Sequence, residues 1–157
     1  MPNPVRILVV DDSKAVCTVV DKILRQCGFH EIEHVQSGAN ALQRLAAAKF
    51  DMIICDWEME GMSGLDVLAH VRFRADTREI PFILMSAKKD PHWISEAKRL
   101  GANCMLSKPF NAQSLRDKIV QVGIAANVAF VAPAITEPHP IPEAAPADST
   151  EGFHLLD

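Results

Sequence analysis

A chain of 157 residues has room for one domain of ordinary size and a short appendage. Hydrophobic residues make up 48% and charged residues 23%, so a core can be buried. The formal net charge is −4, Lys and Arg are scattered singly or in pairs, and no apolar run approaches bilayer length, which argues against direct nucleic-acid binding and against a membrane span.

Short apolar runs alternate with segments of helical period. Val5 to Val10 is nearly continuous apolar sequence, as expected of a strand covered on both faces. Ser13 to Cys27 follows as a helix, with Ala15, Val16, Val19, Val20, Ile23, Leu24 and Cys27 as its apolar stripe and Gly28 placed to end it. Glu31 to Gln36 is a weak strand. Ser37 can cap a helix running through Ala39, Leu42, Leu45 and Ala46. Phe50 to Cys55 is the third strand, Gly61 and Gly64 mark a loop, and Leu65 to Arg74 is the next helix. Pro81 opens a fourth strand, Phe82 to Met85, and Pro91 opens a helix that ends near Leu100 and Gly101. Ala102 to Leu106 is a fifth strand. Asn111 can cap a last helix, with Leu115, Ile119 and Val122 on one face.

Strands alternating with helices of this length predict parallel pairing with right-handed crossovers. The expected fold is α/β, a doubly wound five-stranded parallel sheet. The domain is expected over residues 4–122. Residues 123–157 form an extension whose later part is rich in Pro and in acidic residues, a composition that predicts a flexible tail. Phe153, Leu155 and Leu156 form a terminal apolar patch that is a candidate docking element. The start of the chain shows no signal-peptide pattern, so a cytoplasmic location is expected. Cys17, Cys27, Cys55 and Cys104 are far apart and lie within apolar patterns, which predicts reduced core thiols rather than a zinc site.

The polar residues that end the apolar runs carry the chemistry. Asp11 and Asp12 end the first run, Asp56 the third-strand run, Ser86 the fourth and Lys108 the fifth. In parallel strands of one sheet these groups meet at the carboxyl edge, where ligands of open α/β sheets bind. Each residue alone is an ordinary strand-end or capping group. Together, three carboxylates, a hydroxyl and an ammonium suit a divalent cation and a phosphoryl group.

The residues Ile7 to Ser13, Asp56 to Met59, Gly64-Leu65-Asp66, Ser86-Ala87 and Lys108-Pro109-Phe110 resemble the receiver domain of two-component response regulators. The resemblance covers roughly residues 4 to 122 and rests on five spaced motifs in the family's order. It implies the flavodoxin-like (βα)5 fold with strand order 2-1-3-4-5. It implies that Asp56 accepts a phosphoryl group from a histidine kinase or a histidine phosphotransfer protein. It further implies that Asp11, Asp12, Asp56 and the backbone carbonyl of Glu58 hold Mg²⁺, that Lys108 and Ser86 contact phosphoryl oxygens, and that the peptide bond before Pro109 is cis.

The chemistry agrees with that assignment. A carboxylate can attack phosphorus to give an acyl phosphate. The obstacle is charge, because an anion approaches an anion beside two further carboxylates. A hard divalent cation with oxygen ligands neutralises the repulsion, and Lys108 offsets more of it.

Two positions depart from the best-known family members. Met105 stands where an aromatic residue usually turns inward as the Ser or Thr moves. Glu60 replaces a common proline. Glu58 and Lys88, each two residues past Asp56 and Ser86, are expected to overhang the pocket, where they can pair and hinder an attacking water. The output is expected to be altered protein binding rather than enzyme turnover, through the face near Met105 and the tail. Alternatives are a relay intermediate or phosphate sink, a phosphorylation-independent pseudo-receiver, and an aspartyl-phosphate phosphatase. The last carries Asp-x-Asp after its first strand, whereas Asp56-Trp57-Glu58 follows the third.

Overall fold

A computed structural model of the chain describes residues 4–125. Its elements run β1 (Arg6–Val10), α1 (Lys14–Gln26), β2 (Glu31–Val35), α2 (Gly38–Ala47), β3 (Met52–Asp56), α3 (Gly64–Phe73), β4 (Phe82–Ser86), α4 (Pro91–Leu100), β5 (Cys104–Ser107) and α5 (Ala112–Ala125). The five strands form one parallel sheet in the order β2-β1-β3-β4-β5. The doubly wound architecture expected from the alternation is the one observed.

Burial explains why the runs read as they do. β3, β4 and β5 are buried along their whole length, and β1 from Ile7 onward. Each fully buried Leu, Ile or Val contributes on the order of 1.5–3 kcal/mol, and these strands carry most of that apolar burial. β2 is one of the two edge strands and the less covered one, with Glu31 and His34 exposed, so its sequence is half polar and its signal weak. On one side of the sheet α1 packs against α5; on the other α2, α3 and α4 pack in a row. That division follows from right-handed crossovers leaving β1 in opposite directions.

Ser37 and Asn111 cap their helices as the sequence indicates, and Ser13 and Asp90 cap two more. The Ser13, Ser37 and Asp90 side chains accept from Val16, Asn40 and His92 backbone N–H groups, and Asn111 Oδ1 accepts from Ser114 N at 2.8 Å. A capping box at α3, in which Ser63 and Asp66 satisfy each other's backbone N–H, lies in a segment expected to be plain loop. Gly101 ends α4 with φ 106, in the left-handed region that glycine tolerates.

Val20, Ile23, Leu24, Cys27 and Leu45 lie inward as expected, and helices α1 and α2 differ from the expectation only at single positions. In α1 the inward positions are Cys17, Val20, Ile23 and Leu24, while Val19 is 48% exposed. In α2 they are Gly38, Ala41 and Leu45, while Ala39 and Ala46 are exposed. Small residues on both faces of these helices blur the apolar stripe. All four cysteines are buried and none forms a disulfide. α5 continues to Ala125, past the expected boundary at 122. The rest of the extension, including Phe153, Leu155 and Leu156, lies outside the described residues. No helix among the described residues is long and apolar enough to cross a membrane.

Candidate functional site

The sheet reverses its winding direction between β1 and β3, and the acidic groups stand at that point of its carboxyl edge. Asp11 follows β1. Its N–H donates to Val35 O at 3.2 Å, and its Oδ1 accepts from Ser13 N at 2.9 Å, so the turn into α1 fixes this carboxylate. Asp56 is the last residue of β3, and Trp57 N donates to Met85 O at 2.8 Å, which holds the strand end against β4. Gly64 passes so close that a Cβ there would lie 2.2 Å from Asp56 O and 2.8 Å from Trp57 Cα. Only glycine allows this approach, and Gly64 N donates to Trp57 O at 2.9 Å across it. Lys108 follows β5; its N–H donates to Ser86 O at 2.9 Å, and the bond to Pro109 is cis.

The side chains converge. Lys108 Nζ lies 2.9 Å from Asp56 Oδ1 and 3.1 Å from Asp11 Oδ2. Asp11 is 0% exposed and Asp56 3%, while Asp12 opens to solvent. Burial pushes the Asp56 carboxyl up to about 6; Asp11 and Glu58 add to the rise and Lys108 opposes it. For Lys108, burial alone would lower the ammonium, but its contacts with the Asp56 and Asp11 carboxylates outweigh that and raise it.

One oxygen from each of Asp11, Asp12 and Asp56 lies within 4.8 Å of the others. Asp56 Oδ1 is buried and accepts no well-aligned hydrogen bond; the Lys108 ammonium beside it is a charge partner only. Three carboxylates against one ammonium leave the pocket anionic and short of cationic partners. That donor set fits a hard divalent cation such as Mg²⁺.

The response regulator receiver domain family matches residues 7–120. This chain belongs to that family. The receiver domain is 32% identical over 117 residues to the chemotaxis protein CheY-3 of Vibrio cholerae, covering 74% of this chain and 90% of that protein. It is 34% identical over 117 residues to the chemotaxis protein CheY of Pseudomonas aeruginosa, covering 74% and 94%. Among solved structures, the chemotaxis response regulator CheY4 of Vibrio cholerae superposes with a TM-score of 0.72 at 30% identity, over 76% of this chain and 99% of that one. The signal receiver domain of a histidine kinase from Syntrophus aciditrophicus does so with 0.72 at 27%, over 85% and 98%.

In this receiver domain Glu58 and Lys88 do not meet as expected. Glu58 turns back to β4, where its Oε2 accepts from Ser86 Oγ at 2.8 Å. Ser86 Oγ in turn accepts from Lys88 N at 2.8 Å. The Lys88 ammonium lies 5.8 Å from the Trp57 ring centre and 5.4 Å from that of Trp93, over both rings. The cation–aromatic attraction draws it away from the carboxylate. Trp57 and Trp93 themselves meet edge to face, with centres 5.9 Å apart. Met105 is buried in β5 opposite Leu84.

Arg72 is a structural residue that the sequence did not single out. Its guanidinium donates to Gly101 O, Arg78 O, Ile80 O and Asn103 Oδ1, joining α3 to the loops before β4 and β5. Asn103 Oδ1 also accepts from Phe82 N at 2.7 Å, so the same cluster fixes the start of β4.

Proposed function

We propose that this receiver domain is a phospho-accepting signalling module in which Asp56 takes a phosphoryl group from a phosphohistidine. The observation that carries the reading is the Lys108 ammonium bridging Asp56 and Asp11 inside a cluster of three carboxylates. A structural ion pair needs one carboxylate; this arrangement supplies a nucleophile, a charge partner and oxygen ligands at one sheet edge.

The step balances simply. A carboxylate oxygen of Asp56 forms a bond to phosphorus, the phosphorus–nitrogen bond of the donor breaks, and the departing imidazole takes up a proton. Asp11, Asp12, Asp56 and the backbone carbonyl of Glu58 would hold Mg²⁺, which when bound supplies the positive charge that offsets anion–anion repulsion. Lys108 already stands at Asp56 Oδ1 and is placed to donate to a phosphoryl oxygen on that atom. Ser86, buried at the end of the neighbouring strand, is the neutral donor for a second oxygen.

The donor is a sensor histidine kinase or a histidine phosphotransfer protein, and the module works in the cytoplasm. It turns over no outside substrate; its chemistry is limited to its own phosphorylation and dephosphorylation. Output is a change in protein binding at the face of α4, β5 and α5. Met105 lies beneath that face, and its thioether adapts its shape, so the response is graded rather than sharply two-state. Relatives named as chemotaxis proteins support a signalling role.

Incubation with Mg²⁺ and acetyl phosphate, followed by intact mass measurement, tests the assignment. Wild type should gain one phosphoryl unit and Asp56→Asn none. Equal modification of both proteins refutes it.

A further inference from the structure

The Ser86 hydroxyl is already fully engaged in the resting structure. A hydroxyl has one proton and two lone pairs. Here the proton goes to Glu58 Oε2 at 2.8 Å and one lone pair takes Lys88 N–H at 2.8 Å. No proton is left for a phosphoryl oxygen. Glu58 itself is exposed and reaches Ser86 from the loop after β3. Its carboxylate is the acceptor, so this is the stronger, charge-assisted kind of hydrogen bond. The backbone of Lys88 is thereby tied to Ser86, and its ammonium is tied to Trp57 and Trp93. Trp93 is 39% exposed in the first turn of α4. A continuous chain of contacts thus leads from Glu58 to an aromatic surface on α4.

We propose that Glu58 is a positioning residue that withholds the Ser86 hydroxyl from the phosphoryl site, and that its release is transmitted through Lys88 to the Trp57–Trp93 pair. This rests on the phospho-acceptor reading above. When Ser86 donates to a phosphoryl oxygen, its bond to Glu58 must break, because there is only one proton. Lys88 N–H then loses or follows its acceptor, and the ammonium shifts on the two indoles. Glu58 therefore opposes occupancy of the site by an amount set by one charge-assisted hydrogen bond, roughly tenfold in affinity.

Removing Glu58 also removes a negative charge near the pocket, and a double-mutant cycle separates the two effects. The full chain, Glu58→Ala, Ser86→Ala and the double variant are titrated with beryllofluoride in excess Mg²⁺, with binding followed by calorimetry. In the Ser86 background, Glu58→Ala should bind about tenfold tighter than wild type. In the Ser86→Ala background the same change should give a much smaller gain, because no hydroxyl remains to be withheld. Equal gains in both backgrounds overturn the proposal and leave only charge repulsion.

Amide NMR supplies a readout that needs no Ser86 variant, with the ligand used only to fix the wild-type end point. In ligand-free Glu58→Ala, the Lys88 amide and the Trp93 indole N–H should lie part-way toward their positions in beryllofluoride-bound wild type. Unchanged wild-type positions overturn the proposal. If wild type binds beryllofluoride but the cycle is additive, Glu58 has no such role and the phospho-acceptor reading stands. If wild type itself fails to bind, both fall.

Discussion

Replacing Asp56 by Asn should stabilise the metal-free protein, and the gain should depend on pH. The carboxyl is 3% exposed, and burial pushes it up to about 6 from the 3.8 of an unburied group. Between those values the native state binds a proton that the unfolded chain does not. The unfolding free energy therefore falls as pH rises through this window, and the loss is complete above about pH 6. A difference of about two pKa units at 1.36 kcal/mol each amounts to about 3 kcal/mol near pH 7.5, and to about 1 kcal/mol near pH 4.5, where only the lower part of the window has been crossed. Asparagine cannot ionise but keeps an oxygen that can accept from Lys108, so the variant resembles the protonated wild type. Urea unfolding with a chelator, at both pH values, should show the variant ahead by about 3 and about 1 kcal/mol respectively. A hundredfold excess of Mg²⁺ over its Kd should close most of the gap at neutral pH, because the cation binds the ionised carboxylate of the wild type. Equal stability of the two chelated proteins near pH 7.5, or the same gain at both pH values, would refute the claim that Asp56 ionises against a burial penalty.

Three further outcomes follow from particular contacts. Asp12 is exposed and contributes an oxygen to the carboxylate cluster, so Asp12→Ala should melt above wild type in chelator and respond little to Mg²⁺. A hundredfold excess of Mg²⁺ over its Kd should stabilise wild type by about 2.7 kcal/mol, and an equal response in the variant would remove Asp12 from the ligand set. Arg72→Ala leaves three carbonyls and Asn103 without their donor and should cost about 2–4 kcal/mol in urea unfolding; a loss under about 0.5 kcal/mol would show the cluster to be dispensable. Gly64→Ala drives a methyl group into the backbone of Asp56 and Trp57, so it should cost about 3 kcal/mol and lower phosphorylation by acetyl phosphate in the fraction that remains folded. Full phosphorylation at wild-type rate would show that the loop yields without moving the site.

The sheet was legible because its strands are covered on both faces. Ile7 to Val10, Met52 to Cys55 and Phe82 to Met85 have no solvent side, so they carry no alternation and stand out from helices of 3.6-residue period. The helical stripes were less legible. In α1, Val20, Ile23, Leu24 and Cys27 lie inward as their spacing indicates, but Val19 is apolar yet exposed and Cys17 is buried, so hydrophobicity alone misplaced the margins of the face. The capping box at Ser63 and Asp66 was visible in principle as Ser-x-x-Asp ahead of an apolar run, although Glu or Gln is the more usual partner. Arg72 gave no local signal. Its four acceptors belong to residues 78 to 103, and only the packed fold brings them to one guanidinium.

The site separates into a part that strand order dictates and a part that rotamers decide. Asp11, Asp56, Ser86 and Lys108 are fixed to within a residue by where their strands end, so parallel pairing alone brings them together. Glu58 and Lys88 stand on loops two residues further on, where position leaves several orientations open. Opposite charge favoured their pairing. Two local effects decide otherwise: Trp57 and Trp93 offer the ammonium a cation–aromatic site, and the buried Ser86 hydroxyl requires an acceptor. Neither effect is visible in the spacing of Glu58 and Lys88, because each depends on a residue from another element. Strand ends place the carboxylates and the ammonium of the site. The orientation of loop side chains around Ser86 then decides how readily that site responds.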